Sequence, residues 1–160
     1  ASDVYKRQPR AGCDYQREAV KFRTPESDNE EYLRLGLISE IGEVAGKLAK
    51  GIRDGNFDAK AFVKELGDVI WFVANLHDKR KLSIEIRGIP FFVANKYDVE
   101  IIQTMSTFAE FKSQLDFVVY CIRELARRRG YTLEDVMEIN LAKLRDRQYR
   151  GVICGNGDER

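Results

Sequence analysis

"KELGDVIWFVANL", residues 64–76, decides how this chain folds. Glu65 and Asp68 open it, and Val69, Ile70, Trp71, Phe72, Val73 and Ala74 follow without a single charge. A helix that is apolar nearly all round is one that other helices cover on most sides. Carboxylates at its start need partners of their own, because removing an ion from water costs several kcal/mol. The stretch therefore predicts a central helix whose two acids share a partly dry site with a cation.

Working outward, Asp58 is an N-cap for this helix, which extends to about Asp78. Before it, a helix from Glu30 to about Ile52 stops near "RDGN". Before that, "DYQREAVKFR" is a short amphipathic helix with Ala19, Val20 and Phe22 on its apolar side. Residues 1–13 show no periodicity and read as a leader outside the core, leaving residues 14–160 as one helical domain. After the central helix the pattern changes. "LSIEIRGIPFFVA", residues 82–94, alternates around "RG" and predicts a small β-hairpin, and "DVEIIQTM" predicts one or two helical turns. Thr107 with Glu110 matches a capping box for a helix ending at Gly130. Thr132 with Asp135 repeats the signature for a last helix to about Tyr149, and the glycine-rich tail 151–160 reads as irregular. The expected class is all-α, a helical bundle with a β-hairpin insertion.

On the helix of residues 30–52, Leu37, Ile41, Val44 and Leu48 form a stripe, and Glu40 and Glu43 share one flank of it. On the next helix, Phe62, Leu66, Val69 and Val73 form the stripe, with Glu65 and Asp68 at the matching offsets. Packed as an antiparallel hairpin, the two acid pairs converge. Two carboxylates about 5 Å apart at an effective dielectric of about 20 repel by roughly 3 kcal/mol. A divalent cation removes that repulsion, and an all-oxygen donor set selects Mg²⁺ or Mn²⁺. Gly36, Gly42, Gly46 and Gly67 lie within these helices at a cost of about 1 kcal/mol each, which suits places where another helix comes close. The competing reading makes Glu40 and Glu43 a solvated face, paired with Lys47 and Lys50.

"LGLISEIGEVAGKLAK" followed at the same distance by "KELGDVIWFVANL" resembles the ExxE…ExxD signature of the MazG-type all-α nucleoside triphosphate pyrophosphohydrolases. "YQREAV" is similar to the family's opening helix and "GYTLEDVMEINLAKLRDR" to its last, while "RGVICGNGDER" resembles the ending of small phage-type members. The resemblance implies Mg²⁺-dependent cleavage of a (d)NTP to (d)NMP and pyrophosphate, in nucleotide-pool house-cleaning. It implies Glu40, Glu43, Glu65 and Asp68 as metal ligands, with Glu40 or Glu43 as the catalytic base. It further implies Asn75, Asn140, Lys143, Arg147 and Arg160 as substrate-binding residues, and a dimer or dimer of dimers. Residues 79–116 depart from the family pattern as an insertion. An all-α dUTPase or a phosphoribosyl-ATP pyrophosphohydrolase would share the acids, and a catalytically silent helical interaction module is the reading from another class.

The remaining features restrict the possibilities. A net charge of +1 gives no electrostatic case for a nucleic-acid or membrane partner. No apolar run reaches the length of a membrane span, and three scattered cysteines suit a reducing cytoplasm better than a disulfide framework. His77 reads as exposed at a helix end, and Trp71 and Phe72 as core or subunit interface. "RRR" at 127–129 reads as a cationic helix C-terminus. "VIWFVANL" and "LDFVVYCI" offer more apolar surface than one short bundle covers, which predicts a homodimer in which the hairpin leans on a neighbouring subunit.

Overall fold

The computed structural model describes residues 3–86, 91–111 and 114–151, with side chains from residue 11 onward except those of residues 91 and 92. Helix α1 spans Asp3–Ala19 and runs into a 3-10 turn, Val20–Phe22. It is followed by α2 (Glu30–Asp54), α3 (Ala59–Lys79), α4 (Phe91–Ala94), α5 (Asp98–Ala109), α6 (Leu115–Arg127) and α7 (Leu133–Tyr149). Among the described residues there is no strand, and no helix long and apolar enough to cross a membrane.

Local chemistry sets most of the ends. Asn29 accepts the Tyr32 N–H at 3.1 Å to open α2, and Asp58 accepts the Ala61 N–H at 2.9 Å to open α3. Gly55 ends α2 at φ 63°, a left-handed conformation that L side chains resist. Thr132 and Asp135 form the reciprocal box, Asp135 N–H to Thr132 Oγ1 at 3.0 Å and Thr132 N–H to Asp135 Oδ2 at 2.7 Å. The matching signature at Thr107 and Glu110 does not open a helix. It lies where α5 ends, and the Thr107 hydroxyl donates back to the Gln103 carbonyl at 3.0 Å. Helix α1 begins at Asp3, within the residues 1–13 read as a leader outside the core, and Gly12 is buried against Ile84.

Helix α3 is the centre of the fold. It packs against α2, α7, α6 and α1, which is why it is apolar nearly all round. Phe62, Leu66, Ile70, Val73 and Leu76 are fully buried. Trp71 and Phe72 are internal contacts: the Trp71 indole N–H donates to the Ala19 carbonyl at 3.1 Å, and the two rings meet edge to face at 4.9 Å. Phe72 also covers Gly36, where a Cβ would lie 2.1 Å from the ring. A Cβ at Gly67 would lie 3.0 Å from Asn140, so this glycine admits α7. Among the described residues nothing lies within 4 Å of a Cβ built at Gly42 or Gly46, so neither is seen to admit a neighbour.

The segment read as a β-hairpin is not one. Residues 82–86 are irregular, residues 91–94 form a helical turn where the second strand was expected, and the "RG" at 87–88 lies outside the described residues. The alternation is real, since Ile84 and Ile86 are buried, but a side chain takes the place of a pairing strand. The Gln16 amide donates to the Leu82 carbonyl at 2.8 Å and accepts the Ile84 N–H at 2.9 Å. Helix α5 packs on α2 and α6, burying Ile101, Ile102 and Met105. The apolar faces of "VIWFVANL" and "LDFVVYCI" pack together as α3 on α6, so the chain covers them itself.

Two polar features also differ from expectation. His77 is buried, with Nδ1 3.0 Å from the Val73 carbonyl and Nε2 3.0 Å from Asp116. The "RRR" run ties three helices together rather than merely facing a dipole. Arg127 and Arg128 hold the buried Glu124 carboxylate, and Arg127 beside it keeps that group below its usual range. Arg128 and Arg129 pair with Asp98, and the Arg129 guanidinium lies over the Phe62 ring at 4.3 Å.

Candidate metal centre

The loop after α2 is four residues long, so α2 and α3 form a helical hairpin. Three cross-hairpin neighbours set its register: Gly36 with Phe72, Glu40 with Asp68, and Lys47 with Glu65. One residue number rises as the other falls, so the helices are antiparallel. Glu40, Glu65 and Asp68 each place a carboxylate oxygen within 4.8 Å of the other two. All three are partly buried. Glu43, one turn along α2, is half-buried and stands outside that trio.

Two lysines and an asparagine surround the acids. Lys47 Nζ lies 3.4 Å from Glu65 Oε1, across the hairpin rather than along its own helix. From α7, Lys143 pairs with Asp68, and the Asn140 amide donates to the other Asp68 oxygen at 3.3 Å. Tyr15 on α1 donates its hydroxyl to Asn140 Oδ1 at 2.7 Å. Burial, and then Asp68, raise the Tyr15 phenol well above its ordinary value, so it stays a neutral donor. Asn140 is thereby oriented with its amide towards Asp68. Tyr15 was not singled out from sequence, and Lys47 was named only in the competing reading, as a partner of the acids on its own helix; it sits two turns from Glu40 on one face of α2.

The other expected substrate residues are distributed unevenly. Arg147 lies one turn beyond Lys143 and is half-buried. Asn75, fully buried, donates to the Trp71 carbonyl at 2.9 Å and accepts from Arg23 at 3.1 Å, so its side chain is engaged in holding the α1–α2 connection. It lies two turns, about 10 Å, along α3 from Asp68. Arg160 lies outside the described residues.

The electrostatics fit a hard divalent cation. Three carboxylates face two lysines, which leaves one negative charge before Glu43 is counted. Burial, with Asp68 and Glu65 next in effect, pushes the Glu40 carboxyl up to about 7. The site relieves its repulsion by holding a proton where a cation would serve. Its donors are all oxygen, the set that Mg²⁺ and Mn²⁺ prefer.

This has a consequence for the metal-free protein. Between about pH 4.5 and 7 the folded chain keeps a proton on Glu40 that the unfolded chain has lost. Stability from this group therefore falls as pH rises through that window and levels off above it. In EDTA, the melting temperature of wild type relative to Glu40→Gln should decline from pH 5 to pH 8. Millimolar Mg²⁺ should remove the decline, because binding to the folded state alone stabilises it by RT ln(1 + [L]/Kd). A wild-type curve parallel to that of Glu40→Gln, with and without Mg²⁺, would contradict the assignment.

No protein-family model matches the chain. No solved structure matches it either. Among curated proteins, the gene 37 protein of Mycobacterium phage L5 is 30% identical over 137 residues, covering 81% of this chain and 75% of that protein.

Proposed function

This chain belongs to the family of the gene 37 protein of Mycobacterium phage L5, and we propose that it is a Mg²⁺-dependent nucleoside triphosphate pyrophosphohydrolase. The observation that carries the proposal is the convergence of Glu40, Glu65 and Asp68 from two antiparallel helices, with Lys143 and Asn140 of α7 at its edge. The resemblance of the acid motifs to those of the MazG-type enzymes supports the same reading and supplies its substrate class.

Glu40, Glu65 and Asp68 would hold the metal, and Glu43 would join them by a change of rotamer. A divalent cation held by these carboxylates would supply charge neutralisation for the phosphoryl oxygens and a lowered pKa for the attacking water. Glu40 or Glu43 would be the base that accepts a proton from that water. The Tyr15–Asn140 pair holds Asp68 in place from behind. Lys143 and Arg147 supply positive charge one turn apart on α7 for the triphosphate. The deciding assay is pyrophosphate release across canonical and damaged NTPs and dNTPs, with Mg²⁺ and with EDTA. Release of pyrophosphate that needs the metal supports the proposal; no release from any of them removes it.

Lys143 can be separated from the acids by kinetics. Lys143→Ala should weaken nucleotide binding or turnover about tenfold or more, since a charge-assisted hydrogen bond contributes roughly 1.5 to 3 kcal/mol. If Lys143 serves only to neutralise Asp68, the variant will alter metal affinity and leave KM for nucleotide unchanged.

One observation favours the silent-module reading. Lys47 and Lys143 already pair with two of the acids, as a structural ion-pair network would. Under that reading Mg²⁺ leaves the melting temperature unchanged.

A further inference from the structure

Two carboxylates withdrawn from solvent elsewhere in the chain, Glu124 and Asp98, are held by arginines. Arg127 and Arg128 clasp Glu124, and Arg128 and Arg129 clasp Asp98. A guanidinium is a planar fork whose N–H groups match a carboxylate in pairs, which suits a fixed tie. At the acid trio the partners are lysines instead, Lys47 on Glu65 and Lys143 on Asp68. Each lysine meets a single carboxylate oxygen, and Lys47 Nζ stands 3.4 Å from its partner. A charge-assisted hydrogen bond spans about 2.7 to 2.9 Å, so the Lys47 pair is loose.

An ammonium is a point charge on a flexible stem, and it leaves one anion for another by rotation about its own bonds. The four side chains are 17 to 30% exposed, so small ions in solution reach both pairs. Charge decides what such a move does. With its two lysines the trio carries one net negative charge before Glu43 is counted, and it repels a polyphosphate. With a divalent cation held by the same carboxylates that sum becomes one positive charge, and the lysines lose the anions they were paired with. The same residues then receive phosphate instead of excluding it.

We propose that Lys47 and Lys143 are displaceable counter-ions. They balance Glu65 and Asp68 while no cation is held there, and they turn to the phosphates of the nucleotide once one is. Lys47 is thereby a second phosphate-binding lysine, on α2 rather than α7, and metal binds before nucleotide. This rests on the hydrolase reading of the site and adds to it an order of binding. It also accounts for both ion pairs without making the site silent.

The experiment measures two affinities of the full chain in wild type, Lys47→Met and Lys47→Arg. One is for Mn²⁺ alone, read by calorimetry and by electron-spin resonance of the free ion. The other is for inorganic tripolyphosphate, with Mg²⁺ in excess and in EDTA. Wild type should bind tripolyphosphate at least about tenfold more tightly with Mg²⁺ than without it, because the two bind cooperatively. Lys47→Met keeps the length of the side chain and removes its charge. It should bind Mn²⁺ about tenfold or more tightly, since a competing positive charge beside Glu65 is gone. It should bind tripolyphosphate about tenfold more weakly, the loss expected for one charge-assisted contact. The opposite signs are diagnostic, because a lysine that only shapes the site shifts both affinities in one direction or shifts neither. Lys47→Arg restores the charge and should return both towards wild type. A wild type that binds no Mn²⁺ overturns this proposal together with the hydrolase reading. Three results overturn the exchange alone and leave that reading standing: Mn²⁺ affinity unchanged or weakened in Lys47→Met, tripolyphosphate affinity unchanged in that variant, or wild-type tripolyphosphate binding that is indifferent to metal.

Discussion

Pyrophosphate release from a nucleoside triphosphate should fall about 100-fold or more in Glu40→Gln and in Asp68→Asn, with the helical fold intact. A metal ion offsets several kcal/mol of transition-state charge, and each factor of ten in rate corresponds to about 1.4 kcal/mol. Both substitutions are nearly isosteric, so the fold has little reason to change. In Asp68→Asn one acceptor oxygen remains, so one of the two contacts from α7, with Asn140 or with Lys143, is kept and the other is lost. What disappears is a charge and a ligand. The Mg²⁺-dependent rise in melting temperature should vanish with the activity, which separates loss of metal from damage to the fold. Full turnover in both variants, or in excess EDTA, would remove the metal mechanism. Glu43→Gln tests the fourth acid: a loss of similar size places Glu43 in the ion's shell, and retained turnover confines the site to the trio.

The parts of this site that were legible in the sequence are those with a period. Glu40, Glu65 and Asp68 were found because antiparallel packing brings equal angular offsets together, and α2 and α3 do pack that way. Glu43 shares the motif but lies outside the trio, since helical spacing fixes the side of a helix and leaves side-chain rotamers free. Lys47 was read as an i, i+4 partner of Glu43, yet its reach across the hairpin to Glu65 depends on how close α3 comes. Tyr15 carries no local signal for a role in the site, because its partner Asn140 is 125 residues away. His77 misled for a related reason: a lone histidine at a helix end looks exposed until α6 brings Asp116 to it.

The misread insertion follows the same logic. Alternating Ile84 and Ile86 shows that one side of the segment is buried, but alternation cannot name the partner, and here that partner is the Gln16 amide. Capping chemistry was legible where a helix needed a start, at Asp58 and Thr132. The same letters at Thr107 and Glu110 lie at the end of a helix, where the hydroxyl serves a carbonyl instead. A motif of four residues carries no information about which side of a helix end it lies on. Packing supplies that.

The largest effect on stability should come from removing the insertion. Replacing residues 80–106 by a short Gly/Ser linker takes out Ile84, Ile86, Val93, Ile101, Ile102 and Met105, all of them buried. At about 1.5 to 3 kcal/mol for each buried side chain, the loss is roughly 9 to 18 kcal/mol before any cavity or exposure term. A domain of this size has a total stability of about 5 to 15 kcal/mol. The deletion also uncovers the faces of α2 and α6 on which α5 packs, and it leaves Arg128 and Arg129 without Asp98. The shortened chain should therefore show no cooperative melt by circular dichroism and should bind a dye that reports exposed apolar surface. A peripheral hairpin leaning on a neighbouring subunit would give the opposite result: an unchanged melting temperature and a change in mass alone. Because α5 is wedged between α2 and α6, the acid-bearing hairpin keeps its outer support only while the insertion is present. Activity should consequently be lost together with the fold, and a folded, active deletion variant would show that α5 is dispensable to the bundle.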